Sequence, residues 1–208
     1  MFGIHDFTVF IVTAVLLNLS PGPDTFYILG RSIAQGRGAG IASALGIAAG
    51  SLVHTFAAAV GLSALLAASA YAFLAVKLAG AAYLAYLGLR MLFSRATAAA
   101  IPAGFSSSGF RAAFRQGLLT NLLNPKVALF FLAFMPQFIA SDSPSKFAAF
   151  LTLGLCFVTS GTIWCLCLAW FSSLLAGRVR GSRTFADVLN RAAGALFVFL
   201  GVRLATSR

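Results

Sequence analysis

Ser20-Pro21-Gly22-Pro23-Asp24 interrupts an apolar run that otherwise continues from residue 7 to residue 29. A proline inside an apolar helix removes a backbone donor and clashes with the preceding turn. A second run, residues 116–139, is interrupted in the same way by Asn124-Pro125-Lys126. In lipid such a defect persists only where protein or a watered cavity satisfies the freed carbonyls. Each break also reads as a restart, with Ser20 or Asn124 as N-cap and Pro21 or Pro125 at the first helical position. Asp24 and Lys126 follow closely, one acid and one base at expected membrane depth, where ionisable residues are costly and mark functional sites. The two breaks predict a transporter.

Composition supports a lipid setting. The chain has 208 residues, 60% hydrophobic and 9% charged, whereas a soluble domain carries about 25% charged residues. Six apolar tracts approach or exceed the roughly 20 residues that span a bilayer: residues 7–29, 41–66, 71–93, 116–139, 147–175 and 188–205. They and their connections use the whole sequence, so residues 1–208 read as a single all-α membrane domain. The net charge of +11 could suggest nucleic acid, but its placement argues against that partner. Ten of the 15 Lys and Arg residues flank odd-numbered connections: Arg31 and Arg37, then Arg90 to Arg115, then Arg178 to Arg191. By the positive-inside rule those connections are cytoplasmic and both termini face outward. His5 and Asp6 stand where a signal peptide would carry basic residues, so the first tract is expected to be retained as a span.

Ser20-Pro21 and Asn124-Pro125 lie 104 residues apart. A second echo pairs Lys77-Leu78-Ala79-Gly80-Ala81 and Leu87-Gly88-Leu89-Arg90 with Arg191-Ala192-Ala193-Gly194-Ala195 and Leu200-Gly201-Val202-Arg203. Three duplicated spans, about 1–93 and 110–208 around a linker at about 94–109, must point in opposite directions. That is the inverted-repeat plan of many secondary transporters, with the first and fourth spans broken at proline. Small residues at Ala42, Gly46, Gly50, Ala57 and Gly61 let helices approach closely. Packing inside the monomer is the stronger reading, and a homodimer surface is the alternative.

At these residues the chain resembles the LysE/RhtB amino-acid exporters, the lysine and homoserine/threonine efflux group. Ser20-Pro21-Gly22-Pro23-Asp24 looks like the signature of that family. Asn121-Leu122-Leu123-Asn124-Pro125-Lys126, followed by Phe134-Met135-Pro136-Gln137-Phe138, is similar to its second motif. Gly36-Arg37, Gly40 and the tract from Gly80 through Tyr83 and Gly88 to Arg90 fit as well. The resemblance covers essentially the whole chain. It implies export of amino acids or their derivatives from a bacterial cytoplasm across the inner membrane, coupled to protons, with no cofactor and no enzymatic step.

A zwitterionic substrate needs an anion site for its carboxylate and an acceptor for its ammonium. Helices restarting at Ser20-Pro21 and Asn124-Pro125 supply unpaired N–H groups and positive dipole ends. Lys126 can add positive charge for the carboxylate. Asp24 can meet the ammonium or carry the coupled proton. The bland alternative is a structural Asp24–Lys126 ion pair that closes the breaks. The expected transport path therefore comprises Ser20, Pro21, Gly22, Pro23, Asp24, Asn124, Pro125 and Lys126. Asn18, Asn121 and His54 are secondary candidates, each with a capping or packing role as the alternative. Arg31 and Arg37 read as topology charges, and Trp164 and Trp170 as packing or interface residues.

Export of another small solute, such as a metal ion, is the main competing function. It would want clustered His, Cys or carboxylates, of which Asp24 and His54 are the plausible members. A membrane thiol–disulfide carrier would need one cysteine beside each break. Cys156, Cys165 and Cys167 all lie in the fifth tract instead and read as packing residues. No P-loop is present, so an ion gradient is the expected energy source.

Overall fold

The computed structural model describes residues 2–68, 70–93, 109–140 and 142–172, and ten helical positions between 191 and 206. The expected linker, the basic run Arg178–Arg183 and much of the sixth tract lie outside the described residues. Among the described residues the structure is helical, with one isolated bridge between Ile4 and Ile139. Helix α1 spans Phe7–Leu19, α2 Pro23–Gln35 and α3 Arg37–Ala57. A π turn, Ala58–Leu62, joins α3 to α4, Ser63–Ala68. Helix α5 is Ala70–Phe93, α6 Phe110–Leu122 and α7 Pro125–Leu129. Helix α7 runs on through a π turn (Phe130–Phe134) and a 3-10 turn (Met135–Phe138), and α8 is Lys146–Trp170.

Both proline motifs are breaks in the fold. Helices α1 and α2 meet at 45°, and α6 meets the Pro125–Phe138 run at 48°. Arg37–Leu65 and Lys146–Trp170 are each long and apolar enough to cross a membrane. With each bent pair taken as one broken span, the described residues hold four candidate crossings.

The second break follows the expected cap, with Asn124 as N-cap and Pro125 at the first position. The first break does not. Ser20 is the C-cap of α1, its N–H donating to Leu16 O, while Gly22 is the N-cap of α2 and Pro23 takes the first turn. A residue before proline is pushed toward extended backbone. In Pro-Gly-Pro that restriction falls on Ser20 and again on Gly22 (φ −161°, ψ −173°), so the helix starts only after the second proline. Helix α2 ends at Gly36, whose φ of 86° is a left-handed geometry that favours glycine.

Helix α3 lies against α6 almost backbone to backbone. A Cβ on Gly46 would sit 2.1 Å from Phe114 O, and one on Gly117 would sit 2.5 Å from Ser43 O. Gly46 and Gly50 are buried against α6, so that part of the small-residue stripe serves internal packing; Ala42 is buried as well, while Ala57 and Gly61 are exposed. Similar close approaches join α5 to the last helical segment. A Cβ on Gly88 would lie 2.6 Å from Gly194 O, and one on Gly201 would lie 2.8 Å from Ala81 O.

A phenylalanine layer closes the end where α1 begins. Phe10 meets Phe138 edge-on at 5.3 Å, Phe130 stacks on Phe157 at 4.6 Å, and Phe134 meets Phe138 at 4.8 Å. At the same end the N-terminal residues pair with the connection into α8. His5 N donates to Phe138 O, Ala140 N to Gly3 O, and Ser143 Oγ to Phe2 O.

Candidate functional site

The two breaks meet at a cavity of about 40 Å³. Asn18, Ser20, Gly22 and Asp24 line it from the first break. Asn121, Asn124 and Lys126 line it from the second, and Ser51, Phe157, Gly161, Trp164 and Cys165 from α3 and α8. Of the residues expected from sequence, Pro21, Pro23 and Pro125 shape the breaks without lining the cavity. His54 also stands outside the lining.

Asp24 and Lys126 do not form a direct ion pair among the described residues. Each is held by the opposite break in another way. The Lys126 ammonium donates to Leu17 O and Ser20 O, both at 2.8 Å. Those are carbonyls that the end of α1 leaves without an intrahelical partner, so a cation of the second bent pair caps the first. Asp24 Oδ2 accepts from Asn121 Nδ2 at 2.8 Å, while its Oδ1 is buried and unpartnered.

Asn121 is the hub of the second break. Its Oδ1 accepts from Ser51 Oγ at 3.2 Å, and its backbone carbonyl faces His54 Nε2 at 3.3 Å. The imidazole is stacked on Phe131, with ring centroids 5.7 Å apart. At the first break, Asn18 Nδ2 donates to Ser160 Oγ at 3.1 Å. The two helix starts differ. The side chain of Asn124 caps α7 by accepting from Lys126 N at 3.1 Å. No side chain caps the first turn of α2.

Sequence reading missed two features. Arg31, read from sequence only as a topology charge, is 2% exposed within α2. Its Nε donates to Tyr27 Oη at 3.2 Å, its Nη1 to Gln35 Oε1 at 3.0 Å, and its Nη2 to Gln116 Oε1 of α6. Tyr27 Oη in turn donates to Ala113 O at 2.9 Å. The signal was available: Tyr27, Arg31 and Gln35 recur every four residues and share one helix face. The second miss is α8, whose Trp164 and Cys165 face the cavity and carried no motif to announce them.

The family described as LysE type translocator matches this chain over residues 15–208. An uncharacterized membrane protein of Pseudomonas aeruginosa is 32% identical over 209 residues, covering 99% of this chain and 97% of that one. A leucine efflux protein of Klebsiella pneumoniae is 31% identical over 205 residues, covering 99% and 97%. A Vibrio cholerae membrane protein is 32% identical over 207 residues, covering 99% and 98%. No solved structure matches the chain.

Proposed function

This chain belongs to the LysE type translocator family and is a multi-pass membrane protein, and from that premise we propose that it exports amino acids or their derivatives from the cytoplasm across the bacterial inner membrane, driven by proton influx. The observation that carries the reading is the cavity between the two breaks, where Asp24 Oδ1 stands buried with no partner. An unpaired carboxylate oxygen is a receptor for an ammonium group or a proton. The uncapped first turn of α2 offers N–H groups and a positive dipole end to a carboxylate. Aliphatic walls from Leu17, Ile47 and Val127 suit an apolar side chain. The efflux protein of Klebsiella makes L-leucine the first substrate to test.

In this reading Lys126 positions the first break and lends its charge to the site, rather than holding substrate through its ammonium hydrogens. Residues 1–93 and 110–208 form two inverted repeats of three spans each. Supporting that plan, Asn18 packs on Gly161 as Asn121 packs on Gly50, and Gly88 meets Gly194 and Val198 as Gly201 meets Ala81 and Ala85. In this reading the end that carries the phenylalanine layer faces outward, and the end that carries the Tyr27–Arg31–Gln116 cluster faces the cytoplasm.

The test is L-leucine uptake into inside-out vesicles with an acidic lumen. The protein should drive uptake that collapses when the pH gradient is dissipated. Asp24→Asn should insert at normal abundance and lose the gradient-driven component, because an amide cannot take up and release the proton. Gradient-driven uptake by Asp24→Asn at the wild-type rate would remove this carboxylate from coupling.

A further inference from the structure

Three side chains lining the cavity carry a buried polar atom with no hydrogen-bond partner: Ser20 Oγ, Asp24 Oδ1 and Trp164 Nε1. Buried polar atoms are ordinarily paired, and each exception calls for an explanation. Here the three complement one another. A carboxylate oxygen only accepts, an indole N–H only donates, and a hydroxyl does both. Three of the other polar side chains of the cavity are held by protein partners. The Lys126 ammonium is on Leu17 O and Ser20 O. The Asn121 amide is on Asp24 and Ser51, and Asn124 Oδ1 is on Lys126 N. The Trp164 ring packs on the cluster containing Tyr27, Ile28 and Cys165, so its apolar body is accounted for and only its N–H is not.

We propose that Trp164 is a substrate-binding residue, its indole N–H receiving the carboxylate of a zwitterionic substrate while Asp24 Oδ1 receives the ammonium. Ser20 Oγ (the residue is 2% exposed) completes the polar lining. This assignment rests on the amino-acid export reading and deepens it. It places the anion-recognising donor on α8, in addition to the first turn of α2, and relieves Lys126 of that task. A ligand bound this way must carry both charges. An amine without a carboxylate leaves the indole N–H as unsatisfied as before.

The experiment compares L-leucine with 3-methylbutylamine, which is leucine without its carboxylate, on protein reconstituted in liposomes. In a Trp170→Phe background Trp164 is the sole tryptophan, since the chain has two. Its emission should change on adding L-leucine and stay unchanged with 3-methylbutylamine. This arm keeps the ring in place and so does not depend on a cavity variant folding.

In the second arm, Trp164→Phe retains the ring and deletes the N–H. Its half-saturation constant for L-leucine should rise about tenfold or more, as for a lost hydrogen bond to a charged group, with maximal rate little changed. Inhibition of uptake by 3-methylbutylamine should be the same in both proteins, so the preference for leucine over the amine collapses. A purely structural tryptophan would alter leucine and the amine alike. If the wild type exports L-leucine but Trp164→Phe keeps the preference, or emission responds equally to both compounds, this inference falls and the export reading stands. If the wild type moves no amino acid, both fall.

Discussion

Lys126 shows how far a residue's chemistry can be read without its neighbours. Its place beside a proline break marked it as special, but its partners are two backbone carbonyls of a helix more than 100 positions earlier. Which carbonyls an ammonium reaches depends on the bend between helices, and no local pattern encodes that. Removing the donor leaves Leu17 O and Ser20 O buried and unpaired, at about 1–3 kcal/mol for each. Lys126→Met should therefore lower the melting temperature in detergent. Lys126→Gln, which keeps a donor amide without the charge, should recover part of the loss. A Lys126→Met protein as stable as the wild type would show that the cap contributes nothing. Ser20 and Arg31 illustrate the same limit. Ser20 looked like an N-cap because Pro21 follows it, yet the second proline wins. Arg31 read only as a topology charge because the apolar run ends at Leu29, yet α2 continues to Gln35 and buries it.

At the scale of elements, the pattern of small residues was legible and its partner was not. Ala42, Gly46 and Gly50 announce a close helix contact, and four-residue spacing places them on one face of α3. That the contact falls on α6 follows from the bent pairs folding around α3, information spread over the whole chain. The contact gives an internal control. Gly46→Ala sets a methyl 2.1 Å from the backbone oxygen of Phe114 and 2.9 Å from Leu118 N. Backbone cannot rotate away, so the two helices must part. Overpacking of this kind costs about 1–3 kcal/mol, and thermal melting in detergent should show it. Gly61 has open space where its Cβ would stand. Gly61→Ala should leave the melting temperature unchanged or raise it, since alanine exceeds glycine in helix propensity by about 1 kcal/mol. Equal losses from both substitutions would mean that glycine is needed here for backbone freedom rather than for close approach.

For the whole molecule, hydropathy fixed the number of expected crossings and charge fixed their expected direction, while the structure adds an independent statement about sides. Residues 2–5 are tied to 138–143 by the Ile4–Ile139 bridge and the bonds from His5, Ala140 and Ser143. The N-terminus and the connection into α8 must therefore lie on one side of the membrane. If each bent pair crosses once, as in the proposed plan, the starts of α3 and α6, with Arg37 and Arg111, lie on the other side. This agrees with the distribution of basic residues, a long-range electrostatic bias that sequence carries openly. The absolute direction can be read with single cysteines in a background lacking Cys156, Cys165 and Cys167. Asp142, Gly38 and Arg111 are all exposed, whereas Ser143 is buried against Phe2 and would disturb the fold if changed. In spheroplasts, an impermeant maleimide should label Asp142→Cys directly. Gly38→Cys and Arg111→Cys should label only after permeabilisation. The reverse pattern would invert the orientation and place both termini on the cytoplasmic side. Labelling of Asp142→Cys and Gly38→Cys from the same side would be more damaging. It would mean that Phe7–Leu19 and Pro23–Gln35 form a re-entrant loop and not one broken span, and the cavity would no longer lie between the two faces of the membrane.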